Sequence, residues 1–281
     1  MIVQLQEEFP VDLLCRLLGA SRSAYYAFAQ GGLSCRQRED NQWLPKIRKI
    51  FHEHKRRYGA RRIAKELQAR GETCSVKRVR RLMEQMGLMA IQPKSFQVKT
   101  TDSRHTLGYS PNLLLDAPPP DGLNQVWVGD ITYIPLIGGD FLYLGILMDL
   151  FSRRIIGWDL QDHMRESLVL AALRQAIRVR QPGAGLIHHT DRGGQYAGND
   201  YRKTLSRSQL LQSMSRADNC YDNAFLESCF GTLKRELEME PYENAVIARK
   251  EILDYIRYYC TRRRHSSLDY MTPEEFERTA Q

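Results

Sequence analysis

Apolar positions along the chain change their spacing twice. Up to about residue 90 they recur every three or four residues, the period of a helix with one buried face. Val11, Leu14, Cys15 and Leu18 follow this spacing. Gly19 can stop that helix and Ser21 or Ser23 can cap the next, so residues 10–29 predict a short helix-turn-helix. Residues 30–40 are polar and linker-like. A helix is predicted around 44–55, a second from Ala60 to its stop at Gly71, and a third from the cap Ser75 through Val76, Val79, Leu82 and Met83 to Gly87. Residues 92–123 then lose all periodicity, ending in Leu113-Leu114-Leu115, Pro118-Pro119-Pro120 and Gly122, and read as a linker.

From residue 124 short apolar runs bounded by turn residues take over. Gln125–Pro135, Phe141–Leu150 and Arg154–Leu160 predict three strands, with Gly138-Gly139 as a hairpin turn. Ser167–Arg180 is an amphipathic helix ended by Pro182-Gly183, and Gly185–Thr190 is a short strand. A helix near 198–206, a strand near 210–214, a long helix over about 222–238 and a helix over Ile247–Tyr259 complete the pattern. The order βββ-α-β-α-β-α predicts an α/β domain with a mixed sheet and helices on both faces. The division expected is therefore 1–40, a short helix-turn-helix segment; 41–91, a basic helix-turn-helix region; 92–123, linker; and 124–281, the α/β domain with its C-terminal helix.

Charge sharpens that division. Residues 1–120 hold 21 Lys/Arg against 11 Asp/Glu, whereas residues 121–281 hold 20 against 22. Between Lys46 and Arg81 there are 14 basic residues and three acids. On the third helix Lys77, Arg78 and Arg81 share the face opposite the apolar stripe. A one-signed excess confined to a helical segment points to a polyanion-binding module, DNA above all; a solvated charged face is the alternative. Arg262-Arg263-Arg264-His265 is a second basic cluster, read either as a solvated helix end or as a phosphate contact.

Other classes drop out. No run approaches 18 apolar residues, and the first residues lack the order of a signal peptide, so the cytoplasm or nucleoid is the expected compartment. The cysteines at 15, 35, 74, 220, 229 and 260 form no Cys-x-x-Cys pair and no zinc spacing, so reduced, mostly buried thiols are expected. His52 and His54 flank Glu53, and a solvated face is favoured there over a metal site.

Three carboxylates carry the candidate chemistry. Asp130 sits inside an apolar strand between Trp127 and Tyr133, where an unpaired charge would be costly. Asp191 follows a strand and precedes Gly193-Gly194, which allow close backbone approach to a phosphate. Glu227 lies on the long helix, with Asn223, Gly231 and Lys234 on the same side. Each has a bland alternative: a solvent-facing strand end, an ordinary turn and a solvated helix face. Hard cations such as Mg²⁺ take a few carboxylates and fill the shell with water and phosphate, and two such ions can serve both oxygens of an in-line phosphodiester displacement. Asp149, Asp218 and Asp222 rank below this trio, as turn or cap candidates.

Assembled, these segments resemble the second-reading-frame transposases of the IS-three family of bacterial insertion sequences, whose catalytic core is similar to that of retroviral integrases. The resemblance spans nearly the whole chain. It rests on Tyr58-Gly59-x-Arg61-Arg62-Ile63, Lys77-Arg78-Val79-x-Arg81-Leu82-Met83, Trp127-x-x-Asp130-Ile131-Thr132-Tyr133, His189-x-Asp191-Arg192-Gly193-x-Gln195-Tyr196 and Ser213-Met214-Ser215-Arg216. It continues through Asp222-Asn223-Ala224-x-x-Glu227-Ser228, Leu233-Lys234-x-Glu236 and Tyr259-x-x-x-Arg263-x-His265-Ser266-x-Leu268. The family pattern is departed from at Thr190, Gly194, Ala217-Asp218 and Cys260, none of them in the acidic trio.

The resemblance implies an RNase H-like catalytic domain with a mixed five-stranded sheet, preceded by an all-α helix-turn-helix region. It implies Asp130, Asp191 and Glu227 as catalytic and metal-binding residues, with two Mg²⁺ ions, for which Mn²⁺ can substitute. The activity implied is cleavage of DNA at transposon ends and transfer of the 3′-OH to a new phosphodiester. Arg61, Arg62, Lys77, Arg78, Arg81, Lys234, Arg263 and His265 are the expected DNA contacts. Expected partners are end and target DNA, further copies of the chain, and the first-reading-frame product or its fusion. Two alternatives stay open: an RNase H-like nuclease that only hydrolyses, which a 3′-OH joining assay separates, and a non-catalytic DNA-binding regulator, against which the intact acidic trio argues.

Overall fold

The computed structural model describes residues 1–31, 33–92, 108–115, 117–216 and 224–280. Asp218, Cys220, Asp222 and Asn223 lie outside them, as does much of the expected linker. The chain forms two compact units, Met1–Ala90 and Ile91–Gln281.

In the first unit, α1 (Ile2–Leu5) touches α2 (Val11–Leu17), which touches α3 (Arg22–Ala29). A three-helix group follows: α4 (Cys35–Glu53), α5 (Ala60–Ala69) and α6 (Val76–Gln85). The three helices pack on one another, burying Ile47, Ile50 and Phe51 of α4, Ile63 and Leu67 of α5, Val79 and Leu82 of α6, and Tyr58 between α4 and α5. Ser75 caps α6 as expected, its hydroxyl accepting the Arg78 N–H at 3.2 Å. The linker-like reading of 30–40 is corrected, because α4 starts at Cys35 and carries Pro45 inside it. A capping box at Ser34 and Gln37 starts this helix early, and Asp40, buried within the polar stretch, is bound by Arg81. His54 is buried and stacked on Tyr58 at 3.7 Å, which corrects its solvated reading, while His52 is exposed.

The second unit is built on a five-stranded mixed sheet in the order β3-β2-β1-β4-β5. The strands are β1 (Val126–Pro135), β2 (Phe141–Asp149), β3 (Ile155–Gln161), β4 (Ile187–Thr190) and β5 (Leu211–Met214). β1–β3 form the antiparallel meander, whereas β4 and β5 join parallel to β1. The hairpin glycines Gly138 and Gly139 have φ of 103° and 94°, conformations that strain other residues. α7 (Glu166–Arg180) packs on β2 and β3, and α8 (Asn199–Arg207) joins it around a core of Trp127, Val169, Leu173, Tyr196, Tyr201 and Met214. α9 (Ala224–Glu236) touches β1, and α10 (Ala245–Thr261) and α11 (Pro273–Thr279) pack together. Part of the expected linker runs beside β5: the Met214 N–H donates to the Pro111 carbonyl at 3.3 Å and the Leu113 N–H to Ser213 Oγ at 2.9 Å.

α7 can lie this close to the sheet because position 157 of β3 is glycine. A Cβ at Gly157 would overlap the Ala172 carbonyl and stand 3.1 Å from Ala176 Cβ. Gly157→Ala is therefore expected to cost about 3 kcal/mol, since backbone rather than a flexible side chain must move. Urea unfolding measures it, and an unchanged midpoint would refute the close approach.

Candidate active site

The sheet brings two of the expected acids side by side. β1 and β4 are parallel neighbours, with Gly129 paired to Thr190. Asp130 follows that pair inside β1, which runs on to Pro135, and Asp191 follows it just past the end of β4, on neighbouring strands spaced about 5 Å apart in the hydrogen-bonding direction. Asp130 is half-buried, and its Oδ1 accepts the Ile131 N–H at 2.8 Å. Asp191 Oδ1 accepts the Gly193 N–H at 3.0 Å, closing the turn below the strand end. A side chain at Gly193 would crowd Asp191 Oδ1, at 3.1 Å from its Cβ, so glycine keeps that carboxylate accessible.

The third acid comes from α9. Glu227 is exposed on the first turn of that helix, and α9 touches β1. Its charge is felt at Asp130. Burial first, then the Asp191 charge, with Glu227 adding, raise the Asp130 carboxyl well above the ordinary carboxylate range against the opposing Ile131 hydrogen bond. The buried Tyr196 hydroxyl finds no hydrogen-bond partner among the described residues, and burial together with Asp191 and Asp130 keeps it protonated. Asp130 and Asp191 supply hard oxygen donors whose crowding a cation relieves, and Glu227 adds a third nearby; this donor set suits a hard divalent ion. Among the described residues no three His, Cys, Asp or Glu side chains are already gathered at ligating distance.

The lower-ranked Asp149 is a structural acid. It is fully buried and accepts the N–H groups of Asn124 (2.8 Å), Phe151 (3.1 Å) and Ser152 (2.9 Å). The histidines before Asp191 are also internal. Burial, with His189 adding, lowers the His188 pKa to about 3, and its Nε2 lies 2.6 Å from the Tyr201 hydroxyl. The His189 ring bridges Ser213 Oγ (2.8 Å) and Ser215 Oγ (3.2 Å), tying the end of β4 to β5. Arg192, quoted in the motif but given no role there, donates from Nε to the Ser215 carbonyl at 2.7 Å and lies over the Tyr109 ring at 4.8 Å.

Residues 120–220 match the family described as Integrase core domain, residues 208–273 match a second family of that description, and residues 37–96 match the HTH-like domain. The transposase for insertion sequence element IS904 of Lactococcus lactis is 43% identical, over 83% of this chain and 92% of that protein. Transposase InsF for insertion sequence IS3A of Escherichia coli K12 is 38% identical, over 97% of this chain and 95% of its own. The chain belongs to the IS3 family of insertion-sequence transposases. It is a DDE transposase, a polynucleotidyl transferase with an integrase-type, RNase H-like core, a fold that uses divalent metal. Among solved structures, the HTLV-2 integrase catalytic core domain in complex with magnesium (dimeric form) covers 56% of this chain and 98% of its own, at 15% identity and TM-score 0.42.

The transposase binds DNA and carries an HTH-like domain, but its expected DNA contacts fall into two groups. Lys77 and Arg61 are exposed, as is Arg80, which the sequence reading left out. Arg62 is half-buried beside the Tyr58 ring at 5.8 Å. Arg78 and Arg81 are engaged within the unit. Arg78 donates to Glu39 at 2.8 Å, and Arg81 spans both oxygens of Asp40 at 2.8 and 2.7 Å, clamping α6 to α4. Lys234 is half-buried, 5.8 Å from the Tyr133 ring centroid, and burial lowers its pKa. Arg263 and His265, expected as phosphate contacts, are both buried, with Arg263 paired to Glu236. Four of the five described cysteines are buried, and all five are free thiols. Among the described residues no helix is long and apolar enough to cross a membrane.

Proposed function

We propose that Asp130, Asp191 and Glu227 are the carboxylates that carry strand cleavage and joining, and that they hold two Mg²⁺ ions, with Mn²⁺ as a substitute. The observation that supports this most is that Asp130 in β1 and Asp191 just past β4 directly follow the paired Gly129 and Thr190 of parallel neighbours, with Glu227 close enough to add to the field on Asp130. Bound there, the ions would stabilise the attacking and leaving oxygens of the phosphodiester as Lewis acids. Asp130, within β1, and Asp191, just past β4, define one wall on the sheet, and Glu227 approaches from α9. Water and then the freed 3′-hydroxyl attack in line, with no covalent protein intermediate. Lys234, seven residues past Glu227 on α9, would meet the DNA backbone. The chain acts as a homo-oligomer on paired ends in the cytoplasm, on the nucleoid, together with the first-frame product or its fusion.

Thermal unfolding tests the metal site. Because the folded-state pKa of Asp130 is raised, its protonated form favours the fold at low pH, and that contribution is lost as pH rises through the raised value. A cation replaces the lost proton. The rise in Tm on adding Mg²⁺ or Mn²⁺ is therefore expected to be larger at pH 8 than at pH 5.5, and to shrink in Asp130→Asn. A metal effect independent of both would contradict the assignment.

Lys77 and Arg80 lie one turn apart on the exposed side of α6, and we assign DNA phosphate contacts to them in preference to Arg78 and Arg81. Replacing both by Ala is expected to weaken DNA binding and to flatten the slope of log K against log salt by about 2. Arg81→Ala should instead lower thermal stability, by removing the closer of the two arginines that pair with the buried Asp40. Anisotropy titrations over a salt series decide it; an unchanged slope in the double variant would remove both residues from the interface.

A further inference from the structure

We propose that Glu236, Arg263 and His265 form a positioning lock for the helix that carries Glu227, and that none of them contacts DNA. The inference rests on the reading of Glu227 given above. Glu236 is the last residue of α9 and is 4% exposed. Its carboxylate accepts Arg263 Nε at 3.0 Å on both oxygens, Arg263 Nη2 at 2.9 Å and the Tyr255 hydroxyl of α10 at 3.1 Å. Arg263, just beyond α10, is itself 4% exposed. This planar, two-pronged pairing fixes direction as well as distance.

The third member adds hydrogen bonds but no charge. Arg263 Nη1 lies 3.3 Å from His265 Nδ1, and a guanidinium has only donors, so Nδ1 accepts. His265 Nε2 lies 3.2 Å from the Tyr259 carbonyl, which only accepts, so Nε2 carries the proton. The imidazole is thereby held neutral, and the lock contains one cation and one anion. A buried pair of this kind adds little net stability over an apolar replacement, but breaking one side is costly. What it supplies is one seating for α9. Glu227 stands nine residues before Glu236, about 14 Å along the same rod, so a shift at the lock is carried to the carboxylate.

The test uses the full chain with Arg263→Lys, which keeps the charge and loses the fork. Turnover in cleavage and joining is expected to fall about 10- to 100-fold, the scale of a small misplacement away from the chemistry. The divalent-cation concentration for half-maximal activity should rise, and amides near 233–236 should exchange faster. The DNA Kd and its salt slope should stay within twofold of wild type. A salt slope smaller by about 1 would identify Arg263 as a phosphate contact and overturn the proposal. Full turnover despite faster exchange would make the lock merely structural and overturn it too. If Arg263→Lys does not fold, Tyr255→Phe removes one donor to Glu236 with the packing kept, and the same shifts are expected in smaller measure. Glu227→Gln is the control: full activity there refutes the reading of Glu227, while the exchange result still judges the lock.

Discussion

Asp130→Asn is expected to lower turnover in strand cleavage and joining by at least about 1,000-fold, because groups that act as one unit fail together. The substitution keeps the size of the side chain and the oxygen that accepts the Ile131 N–H. It removes the negative charge that a hard cation needs. DNA binding should stay near wild type, since the exposed basic residues of α6 belong to the other compact unit. The variant should also unfold at a higher temperature than wild type in EDTA, because burial and the charges of Asp191 and Glu227 all disfavour a carboxylate at this position. Lost activity with raised metal-free stability distinguishes a site acid from a structural one. Near-normal Mg²⁺-dependent activity would sink the assignment.

Glu277→Gln is expected to cost about 3 kcal/mol, at the low end for breaking a buried ion pair because Arg154 is partly exposed. That is a large share of a typical total stability of about 5–15 kcal/mol. Glu277, on α11, is 4% exposed. It accepts Arg154 Nη1 at 2.6 Å and Arg180 Nη1 at 3.1 Å, with a second bond from Arg180 Nη2. The Ser152 hydroxyl, 2.7 Å from Glu277, also lies 3.2 Å from the buried Asp149. One carboxylate thus joins α11, the β2–β3 turn and the end of α7. Burial alone would raise its pKa, but hydrogen bonds from Arg180, Ser152 and Arg154 outweigh it and hold the carboxyl below its ordinary value of 4.5. The contribution is therefore present above that value and is lost as pH falls through the lower folded one. Urea titrations from pH 3 to pH 7 should show a shallower acid loss in the variant; identical acid profiles would show that Glu277 does not drive it.

The catalytic unit was legible because its strands announce themselves. The apolar runs at Gln125–Pro135 and Phe141–Leu150 meet β1 and β2 to within one residue, since each is bounded by turn residues and buried on a sheet. The positions of Asp130 within a strand and Asp191 after one could be read for the same reason. Their adjacency could not, because it depends on β4 pairing parallel to β1 across some sixty residues. Charged residues misled wherever their partners were remote. Asp40 made 30–40 look like linker because Arg81 lies 41 residues away. Arg263 and His265 read as a phosphate contact or a solvated helix end because Glu236 lies 27 residues upstream of Arg263. Charge runs report composition, and only the folded chain shows which charges are already paired.

The most direct test of the central claim is a joining assay on labelled insertion-sequence ends with target DNA. Wild-type protein in Mg²⁺ should yield end DNA covalently joined to target through its 3′-hydroxyl. EDTA, Asp130→Asn, Asp191→Asn and Glu227→Gln should each abolish that product while end binding persists. Joined product at wild-type yield in any one of the three variants, or hydrolysed ends with no joined product from the wild type, would contradict the account.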